Sequence, residues 1–118
     1  MANTFKTVTV AGVTSETTVY TAGGSVVATI VLGLMVGNTT SSQVTTTVSL
    51  DSDTASRPPS GTNSGNNATV HLIKNAPVPV GSSLELLAGK KVVLEDTDEL
   101  TLTASGASDI TISIMEIT

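Results

Sequence analysis

Nowhere in the chain do apolar side chains recur at the three-and-four spacing of a helix; short runs rich in Val, Ile and Thr alternate with clusters of Gly, Asn, Ser and Pro. Val, Ile and Thr branch at Cβ, which restricts χ1 and suits a pleated strand better than a helical turn. Ser and Thr together make up roughly 30% of the chain, well above ordinary usage. The 118 residues fit one domain, so the expectation is all-β: a single β-sandwich over residues 1–118, about eight or nine strands, with a jelly roll among the topologies open to it.

The strand-like segments follow one another closely. In residues 5–10, Phe5, Thr7 and Thr9 face one way and Lys6, Val8 and Val10 the other. Residues 17–21 form a second short strand. Residues 43–51 show period-two patterning, with Val44, Val48 and Leu50 toward a core and Thr45, Thr47 and Ser49 toward solvent. Residues 51–68 are almost free of apolar side chains and read as one long surface loop, either a contact loop or a tolerated insertion. Residues 69–75 resume strand character and lead into Ala76-Pro77-Val78-Pro79-Val80-Gly81, where the prolines remove ladder donors and imply an edge or a crossover. Residues 84–87 and 92–95 read as a hairpin, and residues 100–104 and 110–117 as a last pair.

Two segments depart from simple alternation. Residues 26–36 are apolar on both sides, with Val27, Val31 and Met35 on one and Ile30, Leu32, Leu34 and Val36 on the other. In the final strand Ile110, Ile112 and Ile114 share a face, but Met115 and Ile117 lie opposite. Either a bulge re-aims the strand or another chain covers both faces. The recurrence of the pattern favours a subunit interface, with Val27, Val31, Met35, Met115, Ile117, Pro77 and Pro79 as its candidate residues.

Chemistry has little to work with. His71 is the only histidine, set among Val70, Leu72 and Ile73, and reads as structural. There is no Gly-x-Ser-x-Gly elbow and no cysteine. The acidic runs Asp51-Ser52-Asp53 and Glu95 to Glu99 offer oxygens of the kind calcium takes, six to eight at a time, but a solvated hairpin tip is the plainer reading. Lys90-Lys91 lacks the glycine spacing of a phosphate loop. A net charge of −5 disfavours nucleic acid, and no polybasic patch or basic leader points to a membrane or to export. The most apolar run, about 11 residues, is shorter than the roughly 20 a membrane helix needs. The Asn-x-Thr sequons at Asn38 and Asn67 are expected to be coincidental. The chain is therefore expected not to be an enzyme, with no catalytic residue, cofactor or metal ligand assigned.

The C-terminal stretch carries a more specific signal: Lys74-Asn75-Ala76-Pro77-Val78-Pro79-Val80-Gly81-Ser82-Ser83-Leu84, then Gly89-Lys90-Lys91-Val92-Val93-Leu94-Glu95, and the ending Glu116-Ile117-Thr118. Over residues 73–118, with a looser echo in residues 20–38, the chain resembles small β-rich virion structural proteins of tailed bacteriophages, cyanophages especially. Where that family carries a glycine before an aspartate, this chain has Asp96-Thr97-Asp98, which puts a tight glycine turn in question. The resemblance implies a place in the virion. The expectation is a capsid decoration or cement protein that packs against copies of itself, as a homo-oligomer such as a trimer, and against the major capsid protein. A neck or tail component (collar, adaptor or fibre base) is the alternative. A host-surface carbohydrate-binding module is a third reading, weakened by the lack of aromatic platforms.

Overall fold

The structure, a computed structural model, describes residues 2–23, 26–52, 69–87, 90–95 and 97–118. The strands are β1 (Asn3–Val13), β2 (Thr17–Thr21), β3 (Ala28–Asn38), β4 (Val44–Asp51), β5 (Thr69–Val78), β6 (Ser83–Glu85), β7 (Val92–Glu95), β8 (Glu99–Ala104) and β9 (Ser108–Ile117). All pairings are antiparallel. One sheet runs β1-β9-β3-β6, with β7 also on β3; the other runs β2-β8-β4-β5. The chain is an all-β sandwich.

Two pairings expected from the sequence are corrected. β6 and β7 do not form a hairpin: Ser83–Glu85 lies opposite Gly37 to Met35, and Val92–Glu95 opposite Val31 to Ala28. Both run antiparallel to β3, hence in one direction, whereas hairpin arms must run oppositely. They are one interrupted strand, and between them Leu86 N donates to Leu34 O at 3.0 Å while Leu87 drops into the core. β8 and β9 are not neighbours either. They lie in opposite sheets, so their apolar faces meet across the core rather than side by side. The corner between them needs Gly106, where an added Cβ would come within 2.8 Å of Val44 Cγ1 and 3.3 Å of Thr40 Cγ2.

With β6 and β7 counted as one, first pairs with last, second with seventh, third with sixth and fourth with fifth: β1·β9, β2·β8, β3·β6/β7 and β4·β5. This is an antiparallel ribbon rolled into two facing sheets, the jelly-roll connectivity.

Aliphatic side chains fill the space between the sheets: Val31, Leu34 and Val36 from β3, Val48 from β4, Leu94 from β7, Leu100 and Leu102 from β8, and Ile110, Ile112 and Ile114 from β9. Val8 and Val10 pack against them from β1, as the alternation predicts. In β4, Val44 and Val48 point inward as expected, but Ser49 is buried rather than solvated. It lies between His71 and Thr101 on the neighbouring strands, and its hydroxyl is 2.9 Å from His71 Nδ1. The prolines behave as edge residues: β5 borders its sheet, Pro77 and Pro79 are exposed, and Ser82 N turns back to Pro79 O at 3.2 Å with Gly81 at φ +68°. Of the predicted loop at 51–68, Asp51 ends β4; residues 53–68 lie outside the described residues, as do residues 88–89.

The two-faced apolar pattern has a different cause in each strand. In β3 a bulge inserts Leu32: Val31 opposes Ile114 and Gly33 opposes Ser113, leaving Leu32 unmatched. Thr29 and Val31 point inward before it, and Leu34, Val36 and Asn38 after it. Val31, a candidate contact residue, is therefore a core residue at 0% exposure, and it shares no face with Val27 or Met35. β9 has no bulge within residues 110–117 against β1. There the inward slot after Ile114 goes to Glu116, and Met115 and Ile117 face outward.

The turn from β7 to β8 keeps a glycine-like shape without glycine. Asp98 N donates to Glu95 O at 3.0 Å, Asp98 Oδ2 accepts from Glu95 N at 3.0 Å, and Thr97 holds φ +72°. A β-branched residue in that region carries a steric cost of about 1–2 kcal/mol. Thr97→Gly is expected to stabilise the fold by about 1 kcal/mol, read as a higher midpoint in urea. A lower midpoint would mean that the threonine side chain contributes more than its strain removes.

Candidate interaction surface on the five-stranded sheet

The outward positions of β1, β9, β3 and β7 line up across the strands. Phe5 opposes Met115, Met115 opposes Ile30, and Ile30 opposes Val93. Directly opposed residues share a face, so these four side chains form one apolar row across the sheet. Phe5 is 71% exposed and Val93 57%. The next row toward the chain end is Asn3, Ile117, Ala28 and Glu95. On the other side lie Thr7, Ser113 and Gly33, then Thr9, Thr111, Met35 and Glu85, with Met35 46% exposed.

Among the described residues, charge on this face is confined to its margin, which Lys6 borders from the edge strand β1. Glu85 and Glu95 stand on the β6–β7 edge, and Asp109 sits near the start of β9, accepting from Gly12 N at 2.9 Å. The middle is apolar or hydroxylic. Small residues hollow it: a depression of about 280 Å³ is lined by Phe5, Lys6, Thr7, Leu32, Ser113 and Ile114. A second, of about 110 Å³, adjoins it through Ser113 and is bounded by Gly33, Met35, Thr111 and Glu85. Scattered exposed apolar residues are ordinary; a row spanning four strand positions is a contiguous patch. The outer face of the opposite sheet carries hydroxyls instead: Thr45, Thr47 and Thr103, with Ser49 and Thr101 covered by their neighbours.

Of the candidate contact residues, Met35, Met115 and Ile117 lie on this face. Val27, 60% exposed, sits at its end, with its N donating to Ile117 O at 2.7 Å. Pro77 and Pro79 lie apart from it, at the β5 edge of the other sheet. Phe5, Ile30, Leu32 and Val93 complete the surface but were not legible as contact residues, because only the cross-strand register brings them together.

Two polar clasps close the sandwich. At one end Tyr20, on β2, reaches across to the other sheet: its hydroxyl donates to Glu116 Oε2 at 2.6 Å and lies 2.9 Å from Thr29 Oγ1, while Lys6 Nζ is 2.7 Å from Glu116 Oε1. The lysine, and then the tyrosine hydroxyl, hold the Glu116 carboxyl below its usual range. Burial, reinforced by the bond to Glu116, pushes the Tyr20 phenol up to about 12. At the other end Asn38 Nδ2 donates to Val78 O at 2.9 Å and Ser42 O at 2.7 Å, and Oδ1 accepts from Thr40 N at 2.8 Å and Thr40 Oγ1 at 2.7 Å. The first sequon asparagine is thus buried and engaged; Asn67 lies outside the described residues. Of the acidic runs, Asp98 turns inward to the backbone, and Asp53 and Asp96 lie outside the described residues. Among the described residues no three His, Asp or Glu side chains are placed to share a metal ion.

No family model matches the chain, and no curated protein does. Among solved structures, a Bacillus endospore-appendage chain, described as one of a novel family of disulfide-linked pili, is similar at 14% identity with a TM-score of 0.43, over 98% of this chain and 86% of that one. A likeness at that level carries no argument about function. This chain has no cysteine with which to form the disulfide link named there.

Proposed function

We propose that the chain is a structural subunit of a tailed-phage virion, a capsid decoration or cement protein that acts by packing and not by chemistry. The observation that carries this reading is the outward face of the five-stranded sheet, whose apolar row Phe5–Met115–Ile30–Val93 has charge only at its margin. Such a patch is what a subunit presents to a neighbour. The C-terminal motifs that resemble phage virion proteins supply the particle, and a jelly roll is a frame that shell proteins use. Fold alone decides nothing here, since the same connectivity also serves lectins. Against a sugar-binding role, the Tyr20 hydroxyl is engaged between the sheets, which leaves Phe5 as the single free aromatic ring.

Copy number tests the reading. Quantified against the major capsid protein in purified particles, a shell protein is expected at hundreds of copies, and stripping it should lower the temperature at which shells release their contents. A dozen copies or fewer would move the protein to the neck or tail. Its absence from particles would end the virion reading.

A further inference from the structure

We propose that two copies of this chain pair face to face through the five-stranded sheet, about a twofold axis that runs along the strands between β9 and β3. The inference deepens the packing reading and rests on it.

Symmetry makes the surface its own partner. An in-plane twofold along the strands exchanges the two edges of the sheet, so each cross-strand row meets itself in reverse order. Phe5 then stacks on the partner's Val93 and Met115 on the partner's Ile30, with both contacts repeated by the axis. Asn3, at the end of the next row, meets the partner's Glu95, an amide donor against a carboxylate. The partner's Leu32, pushed outward by the bulge, stands over Ser113 and enters the hollow of about 280 Å³ that Phe5, Lys6, Thr7, Ser113 and this copy's own Leu32 line.

Charge selects this axis over the alternative. Glu85 and Glu95 come to lie over the partner's β1, whose outward residues Asn3, Thr7 and Thr9 carry no charge. A twofold across the strands would instead set the β6–β7 edge on itself, with Glu95 against the partner's Glu85. Like charges so placed oppose association.

Size is sufficient. The ten residues of β9 span about 34 Å, and four strand positions span about 19 Å, a face of about 650 Å² or about 1,300 Å² for two copies. Stable interfaces bury about 1,200–2,000 Å² in total. Met115 and Ile30 then form the centre of the interface, where covered contacts contribute most to binding, and a Phe5–Val93 contact at each side keeps water from it.

The absence of native cysteine allows a clean test. Chains carrying Phe5→Cys and chains carrying Val93→Cys, mixed and gently oxidised, are expected to link to each other and far less to themselves, because the axis puts the two Phe5 positions at opposite edges. Both residues are exposed in the single copy, so each variant should keep the parent's fold, read as an unchanged far-ultraviolet circular dichroism spectrum. By sedimentation equilibrium the parent chain is expected to be dimeric, and Val93→Asp should weaken the dimer by at least about 30-fold. A parent that sediments as a monomer or a trimer overturns the pairing, as does a Phe5→Cys chain that links to itself as readily as to its mixed partner. A chain monomeric in solution yet present at hundreds of copies per particle would overturn this pairing alone. A dimer missing from particles would overturn the virion reading and leave the pairing standing.

Discussion

Replacing Asn38 by alanine is expected to destabilise the fold by about 3 kcal/mol, a loss of roughly 10 °C in melting temperature for a domain of this size. Asn38 is 8% exposed at the end of β3 and reaches β5 in the facing sheet. One side-chain amide donates to Val78 O at 2.9 Å and Ser42 O at 2.7 Å, and its oxygen accepts from Thr40 N and Oγ1. Truncation strands Val78 O in a buried site and unties the partly buried turn at Thr40, and an unsatisfied buried partner costs more than a hydrogen bond contributes on average. Asn38→Asp separates the two halves of the role. The carboxylate can still accept from Thr40, but it faces two carbonyl oxygens with no proton to offer. At neutral pH it should therefore be worse than alanine. The introduced carboxyl is disfavoured as an anion in the folded state, so its folded pKa lies above its unfolded value. The variant's stability should recover as pH falls through that folded pKa and be lost again as pH rises through it. Urea unfolding of the three chains at two pH values makes the comparison. An alanine variant within about 0.5 kcal/mol of the parent, or an aspartate no worse than alanine, would show that the clasp contributes little.

What the sequence revealed was local. β2 begins and ends where its pattern says, and β5 was legible as an edge because proline cannot donate to a ladder on both sides. The inward set of β9 through Ile114 could be read from period two alone. What escaped depends on partners distant in sequence. The bulge at Leu32 leaves no signature in β3, because a bulge is a mismatch of count between two strands and the partner was unknown. Without it, the nine apolar residues in residues 26–36 look like two faces to be covered, and Val31 looks like a contact residue rather than core. The same blindness joined β6 to β7 and β8 to β9: adjacency in sequence stood in for adjacency in the sheet, which a rolled ribbon violates at each corner.

The candidate interaction surface was half visible for the same reason. Met35, Met115 and Ile117 could be singled out because each breaks an alternation or adds an apolar residue to the polar side. Phe5 and Val93 could not, since each sits innocently in an alternating strand and gains meaning only when register sets it in a row with Met115 and Ile30. Glu116 shows the converse. Within a terminal motif it has no evident role, yet its parity with Ile110, Ile112 and Ile114 aims it between the sheets. The lone tyrosine, fifteen residues from Phe5 in sequence, is the group that meets it there.

Tyr20→Phe is accordingly expected to cost about 2 kcal/mol although it removes one oxygen atom. The hydroxyl joins β2 to the Glu116 carboxylate in the facing sheet, and Thr29 Oγ1, on a fully buried residue, is 2.9 Å from it. Lys6→Met should cost less, because that ammonium is half exposed and solvent screens the pair. Proton linkage supplies a second readout. The Glu116 carboxyl titrates lower in the folded chain than in the unfolded one, so its contribution is present above the unfolded value and lost as pH falls through the folded value. That acid shoulder should shrink in Tyr20→Phe, since the phenol bond is one of its causes, and shrink further in Lys6→Met, whose removed amine is the larger cause. Tyr20 works in the opposite sense. Its folded value is pushed up to about 12 from 10.0, so the stability tied to its proton is present below the unfolded value and lost as pH rises through the folded one. With one tyrosine and no tryptophan, tyrosinate absorbance reports this group alone. A folded chain in which the phenol ionises at its ordinary value would mean that the hydroxyl faces water, and the clasp between the two sheets would have to be abandoned.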